Sequence, residues 1–139
     1  MKYIMYLLCV VLLLSGCGDS NQRLTGKVTF SDGEPLTVGT VVFSTSALIS
    51  RANIRPDGTF KTGTHKDGDG IPPGTYKVFI IGAVVPDPGD SSGMGTLPLV
   101  AKEFTSEAMT PFTVTIPGSK TYDIVVERAA VESRQSRNH

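Results

Sequence analysis

From Leu24 to Arg128 the sequence is a succession of short runs in which apolar residues fall at every second position, separated by Gly, Pro and Asp. Successive side chains of an extended chain point to opposite faces, so a period of two specifies strands with one buried face. An amphipathic helix needs apolar residues at spacings of three and four instead. No window of helical length offers that spacing, and the chain is expected to be all-β.

Leu24, Gly26, Val28 and Phe30 share one face of the first run, while Thr25, Lys27 and Thr29 share the other. Thr40 to Ser44 is a β-branched run suited to burial on both faces, and Ile49 to Ile54 is a weaker strand. Pro56 presets φ and Gly58 accepts φ > 0, so Arg55-Pro56-Asp57-Gly58 predicts a turn, with Thr59 to Thr62 returning as the second arm of a hairpin. The most apolar strand ends at Ile81 and is approached through the stiff Pro72-Pro73-Gly74 corner; it belongs in the middle of a sheet. Tyr76, just past that corner, is expected to bury its ring and bond a nearby backbone group through its hydroxyl, a structural rather than catalytic role. Phe112 to Ile116 and Tyr122 to Val126, separated by Pro117-Gly118-Ser119-Lys120, are expected to pair as a closing hairpin. Seven short strands of this kind predict a two-sheet sandwich.

The first residues have a different character. Lys2 precedes an apolar run from Ile4 to Leu14, about half the roughly 20 residues that a helix needs to span a bilayer. The run ends at Leu14-Ser15-Gly16-Cys17, which has the spacing of a bacterial lipoprotein signal peptide. Residues 1–16 are therefore expected to be removed, and Cys17 to carry diacylglyceryl and further acyl groups such as palmitate. Each buried methylene contributes about 0.8 kcal/mol, so two or three chains anchor stably where one does not. Residues 17–23 would be a lipidated linker, 24–128 the sandwich domain and 129–139 a disordered polar tail. With Cys9 lost and Cys17 acylated, the mature chain keeps no thiol for an intramolecular disulfide. All thirteen acidic residues follow Cys17 and one of the thirteen basic residues, Lys2, precedes it, leaving a net charge of −1 and no basic run for nucleic acid.

Several segments together carry a family resemblance. Gly26-Lys27-Val28-Thr29-Phe30 with Asp32-Gly33-Glu34-Pro35-Leu36, Gly39-Thr40-Val41-Val42-Phe43, Asp57-Gly58-Thr59-Phe60 and above all Pro72-Pro73-Gly74-Thr75-Tyr76-Lys77-Val78 are similar to the carboxypeptidase regulatory-like, or transthyretin-like, domain. Asp69-Gly70-Ile71 before the central strand and Pro98 to Phe104 after it further resemble the small lipoproteins of planctomycetes, with Leu99 to Glu103 departing from the usual pattern of that group. The resemblance implies a seven-stranded prealbumin-like or immunoglobulin-like sandwich with no established activity. One branch of the transthyretin-like family hydrolyses a ureide ring with several histidines and a terminal Tyr-Arg-Gly-Ser. This sequence has Ser136-Arg137-Asn138-His139 in place of that motif.

Catalytic candidates are few. His65 and His139 are the two histidines; a nucleophilic triad or dyad needs a positioned base, and neither lies in a partner motif, so no enzyme activity and no cofactor are expected. The alternation His65-Lys66-Asp67-Gly68-Asp69-Gly70 makes Asp67 and Asp69 candidate calcium ligands, but the twelfth position from Asp67 is Val78 instead of the glutamate an EF-hand requires. A solvated turn is the simpler expectation. Residues 84–98 form a long connection whose glycine-serine centre predicts mobility, with Met94 and Leu97 as candidate contacts for a partner. The sequence thus predicts a non-catalytic, lipid-anchored module of the cell envelope, structural or engaging another envelope protein. The alternative is a ligand-binding module for envelope polysaccharide or peptide, aided by calcium; the lack of Trp disfavours a sugar-stacking platform.

Overall fold

The computed structural model describes residues 21–63 and 69–130, so Cys17, the leader before it, His65, Asp67 and most of the polar tail lie outside the described residues. β1 (Thr25–Phe30) alternates as its sequence requires: Val28 and Phe30 are buried, and Thr25 and Lys27 are exposed. It is the centre of a three-stranded sheet, flanked by β4 (Thr59–Lys61) in antiparallel and β9 (Ile124–Val126) in parallel orientation. A second sheet has the order β3-β2-β5-β8, all antiparallel, formed by β2 (Thr40–Ser44), β3 (Ile49–Asn53), β5 (Gly74–Ile81) and β8 (Phe112–Ile116). β6 (Val84–Pro86) and β7 (Thr96–Pro98) form a separate antiparallel pair. The described residues contain a single turn of 3-10 helix at Lys102–Phe104, and no helix among them is long and apolar enough to cross a membrane.

The described residues are all-β and sandwich-like. Leu24, Val28, Phe30, Phe60, Ile124 and Val126 from the first sheet and its entrance meet Val41, Phe43, Tyr76, Val78, Ile80 and Ile116 from the second in one buried cluster. Phe43 and Phe60 tie the two sheets together directly, with ring centroids 6.1 Å apart and planes inclined by 47°. Phe112 and Tyr122 pack against this cluster in a half-buried state. β2 is buried along both faces, as its β-branched run predicts: Val42 is 2% exposed although it points away from the main cluster, between Arg51 and Phe79 of the neighbouring strands.

Three expectations need correction. The count of strands among the described residues is nine rather than seven, because the long connection carries β6 and β7. β8 and β9 do not form a closing hairpin: β8 pairs with β5, and β9 crosses to the other sheet and pairs with β1. The alternation of each strand satisfies either arrangement; local bonds at the crossing decide between them. The Gln22 side-chain amide donates to the carbonyls of Gly118 and Ser119 at 3.2 and 3.0 Å and accepts from the Gly118 N–H at 3.1 Å. Thr25 then donates to the Lys120 carbonyl and accepts from the Tyr122 N–H, drawing the chain onto β1. Nor do β3 and β4 form a hairpin. The Arg55–Gly58 turn is real, with the Gly58 N–H donating to the Arg55 carbonyl at 2.8 Å and Gly58 at φ 85°, but it carries the chain from one sheet to the other, so that Phe60 arrives opposite Phe43.

Candidate functional site

The β6–β7 hairpin is the most prominent feature outside the sandwich. Both strands are short, and a pair of this size has little stability in isolation. At its base the Leu99 N–H donates to the Ala83 carbonyl at 2.8 Å, joining the hairpin to buried Ala83 and Val100. The registered pairs are Val84 with Pro98, Val85 with Leu97 and Pro86 with Thr96.

The tip is organised by two aspartates. Asp87 Oδ1 accepts from the Gly89 N–H at 2.8 Å, and the Asp87 N–H donates to the Gly95 carbonyl at 2.9 Å. Asp90 takes the larger share: its carboxylate accepts from the Ser92 N–H at 3.0 Å, from the Ser92 hydroxyl at 2.7 Å and from the Gly95 N–H. These are aspartate turns, in which the side chain takes the place of a backbone acceptor. The Ser92 hydroxyl, followed by the Ser92 and Gly95 amides, holds the Asp90 carboxyl below the usual aspartate range. The glycine-serine centre, from which mobility is expected, supplies the small, polar parts of these hydrogen-bonded turns.

On this ordered frame Met94 is 86% exposed and Leu97 43% exposed, with Val84 also exposed. A flexible thioether side chain left in water on a loop held by aspartate turns is suited to adaptable docking.

The structure does not bring the two predicted sites together. Asp69 adjoins Gly70, whose N–H donates to the Thr62 carbonyl at 3.3 Å, at the end of the sandwich where Gln22 and Ile71 exchange backbone hydrogen bonds. The hairpin follows the opposite end of β5, whose eight residues span about 25 Å. No group of three or more potential metal-ligating side chains occurs among the described residues.

Comparison with protein families and with curated proteins gives no match. Among solved structures, the chain is similar to a DUF3823 family protein from Bacteroides ovatus ATCC 8483, at 20% identity and a TM-score of 0.45. The similarity covers 78% of this chain and 45% of that one, so the chain spans less than half of that protein's length. A likeness of that degree assigns neither family nor function.

Proposed function

We propose that the protein is a non-catalytic, lipid-anchored sandwich of the cell envelope, of the carboxypeptidase regulatory-like and transthyretin-like kind, which presents its β6–β7 hairpin to another envelope protein. The observation that carries this reading is the position of the hairpin relative to the chain's entrance. Gln22 is bonded to Ile71 at one end of the sandwich, and the hairpin leaves the chain after the other end of β5. Cys17 precedes Gln22 by five residues, a reach of at most about 18 Å. A lipid on Cys17 would thus hold the entrance end against the bilayer and direct Met94 away from it.

Side-chain chemistry supports the non-catalytic part. Cys17, once acylated as proposed, would no longer be a nucleophile, and Tyr76, the most deeply buried tyrosine among the described residues, is engaged in a backbone hydrogen bond. A photo-crosslinking residue in place of Met94, in the native host, tests the docking role. The expected result is a discrete adduct with an envelope protein that disappears when Leu97→Asp is added. An adduct pattern no different from that of the same probe at exposed Glu107 overturns the reading.

A further inference from the structure

The two main sheets end in β4, β9, β3 and β8. An open edge strand is a template for pairing with another chain, and short length, a charge or a covering segment removes that tendency. β4 is short and ends in Lys61. β9 is equally short, and the chain beyond it is closed over by residues 99–101: the Ala101 N–H donates to the Glu127 carbonyl at 2.9 Å and the Ala129 N–H to the Leu99 carbonyl at 3.0 Å. β3 carries Arg51 at its centre, and the Arg51 N–H donates to the Gly63 carbonyl at 3.4 Å. β8 has none of these devices. It is Phe112-Thr113-Val114-Thr115-Ile116, without charge, glycine or proline, and among the described residues Thr113 to Ile116 exchange backbone bonds with β5 alone.

The strand is also complementary to itself. Residues directly opposite in an antiparallel pair share a face of the sheet. If Val114 is set opposite Val114 of a second copy, Thr113 meets Thr115 of that copy on the outer face, where both are exposed. On the inner face Phe112 meets Ile116 of the second copy, on either side of the two valines. Threonine pairs and aromatic pairs with β-branched residues each stabilise a ladder, and no like charges meet. Other registers fail. A slip of one residue sets threonines against the inward-facing residues. Centring the pair on Thr113 or Thr115 brings Pro111 or Pro117, which flank the strand and cannot donate, into the ladder.

We infer that β8 pairs antiparallel with β8 of a second copy about a two-fold axis at Val114, joining two four-stranded sheets into one of eight strands. Val114 stands opposite Tyr76, near the start of β5, so the axis passes close to the end at which the chain enters the sandwich. The Gln22 side chain is bonded to Gly118, four residues from Val114 and at most about 14 Å along the chain. Both entrances therefore lie close to the axis, while each hairpin stays remote from its own entrance. The pairing goes beyond the docking reading and holds with or without lipid on Cys17.

Sedimentation velocity of the purified full chain in detergent micelles, across a concentration series, tests the inference. A five-residue ladder is a small interface, so the wild type should form a reversible dimer with a dissociation constant on the order of 10 μM. T113K/T115K sets like charges opposite each other at two places and should dimerise at least about tenfold more weakly. T113K/T115E sets opposite charges at the same two places and should return to within about threefold of the wild type. I49K, at the β3 edge, should dimerise like the wild type. Thr113, Thr115 and Ile49 are exposed, and a wild-type melting temperature at a dilution where all are monomeric verifies folding. A wild type that stays monomeric up to about 200 μM overturns the inference. So does undiminished dimerisation by folded T113K/T115K, the result expected if a shared micelle holds the copies together. Failure of T113K/T115E to recover, or loss of the dimer in I49K, overturns it as well.

Discussion

The Tyr76 hydroxyl donates a 2.8 Å hydrogen bond to the carbonyl of Pro72, four residues earlier, while its ring is buried in the core. This bond closes the proline corner onto the start of β5. Tyr76→Phe keeps the ring and leaves that carbonyl without its partner, and it should cost about 1 kcal/mol in chemical denaturation. Burial raises the Tyr76 phenol above its ordinary value of 10.0, so the folded state retains the proton longer than the unfolded one. The stability linked to this group is fully present below pH 10.0 and is lost as pH rises through the folded value; Tyr76→Phe should flatten that alkaline decline.

Gly26 of β1 is packed closely against the segment leading into β9. A Cβ there would lie 1.9 Å from the Tyr122 carbonyl oxygen and 2.7 Å from the Phe60 ring. Gly26→Ala should therefore destabilise by about 3 kcal/mol, read as a lowered denaturation midpoint. Because the displaced element is the β9 side, amide exchange should accelerate most at Tyr122.

Gln22 satisfies three backbone groups of the crossing between the sheets with one side chain. Gln22→Ala should cost about 1 kcal/mol, the site being partly open to solvent. Gln22→Glu, which retains the acceptor and loses the donors, should fall between that variant and the wild type in thermal denaturation.

Asp90 orders the hairpin tip without contributing to the core. Its folded-state pKa is depressed below 3.8, so hairpin order linked to this group is present above that value and is lost as pH falls through the folded one. Asp90→Ala should speed amide exchange at Ser92 and Gly95 severalfold while the global melting temperature stays that of the wild type.

Strand existence was readable because a period of two specifies which residues face inward: Val28, Phe60, Tyr76 and Ile124 are all buried as the alternation requires. Neighbour relations were not, since alternation names a face and not a partner. β8 and β9 fit a hairpin equally well until the Gln22 amide and the Thr25 backbone bonds are known. The β6–β7 pair was hidden by Pro86, Pro98 and the glycine-serine centre. The signal that could have revealed it is Asp87-Pro88-Gly89 followed by Asp90-Ser91-Ser92, two aspartate-turn signatures in succession. Met94 and Leu97 were identifiable as candidates from their place in the long connection.

The central claim is that lipid on Cys17 orients the sandwich, and it is tested most directly by intact mass and membrane fractionation of the protein made in its native host, comparing wild type with Cys17→Ala. The account predicts a diacylglyceryl mass and membrane sedimentation for the wild type, with the variant unlipidated and released. Two equally soluble, unlipidated proteins would contradict it.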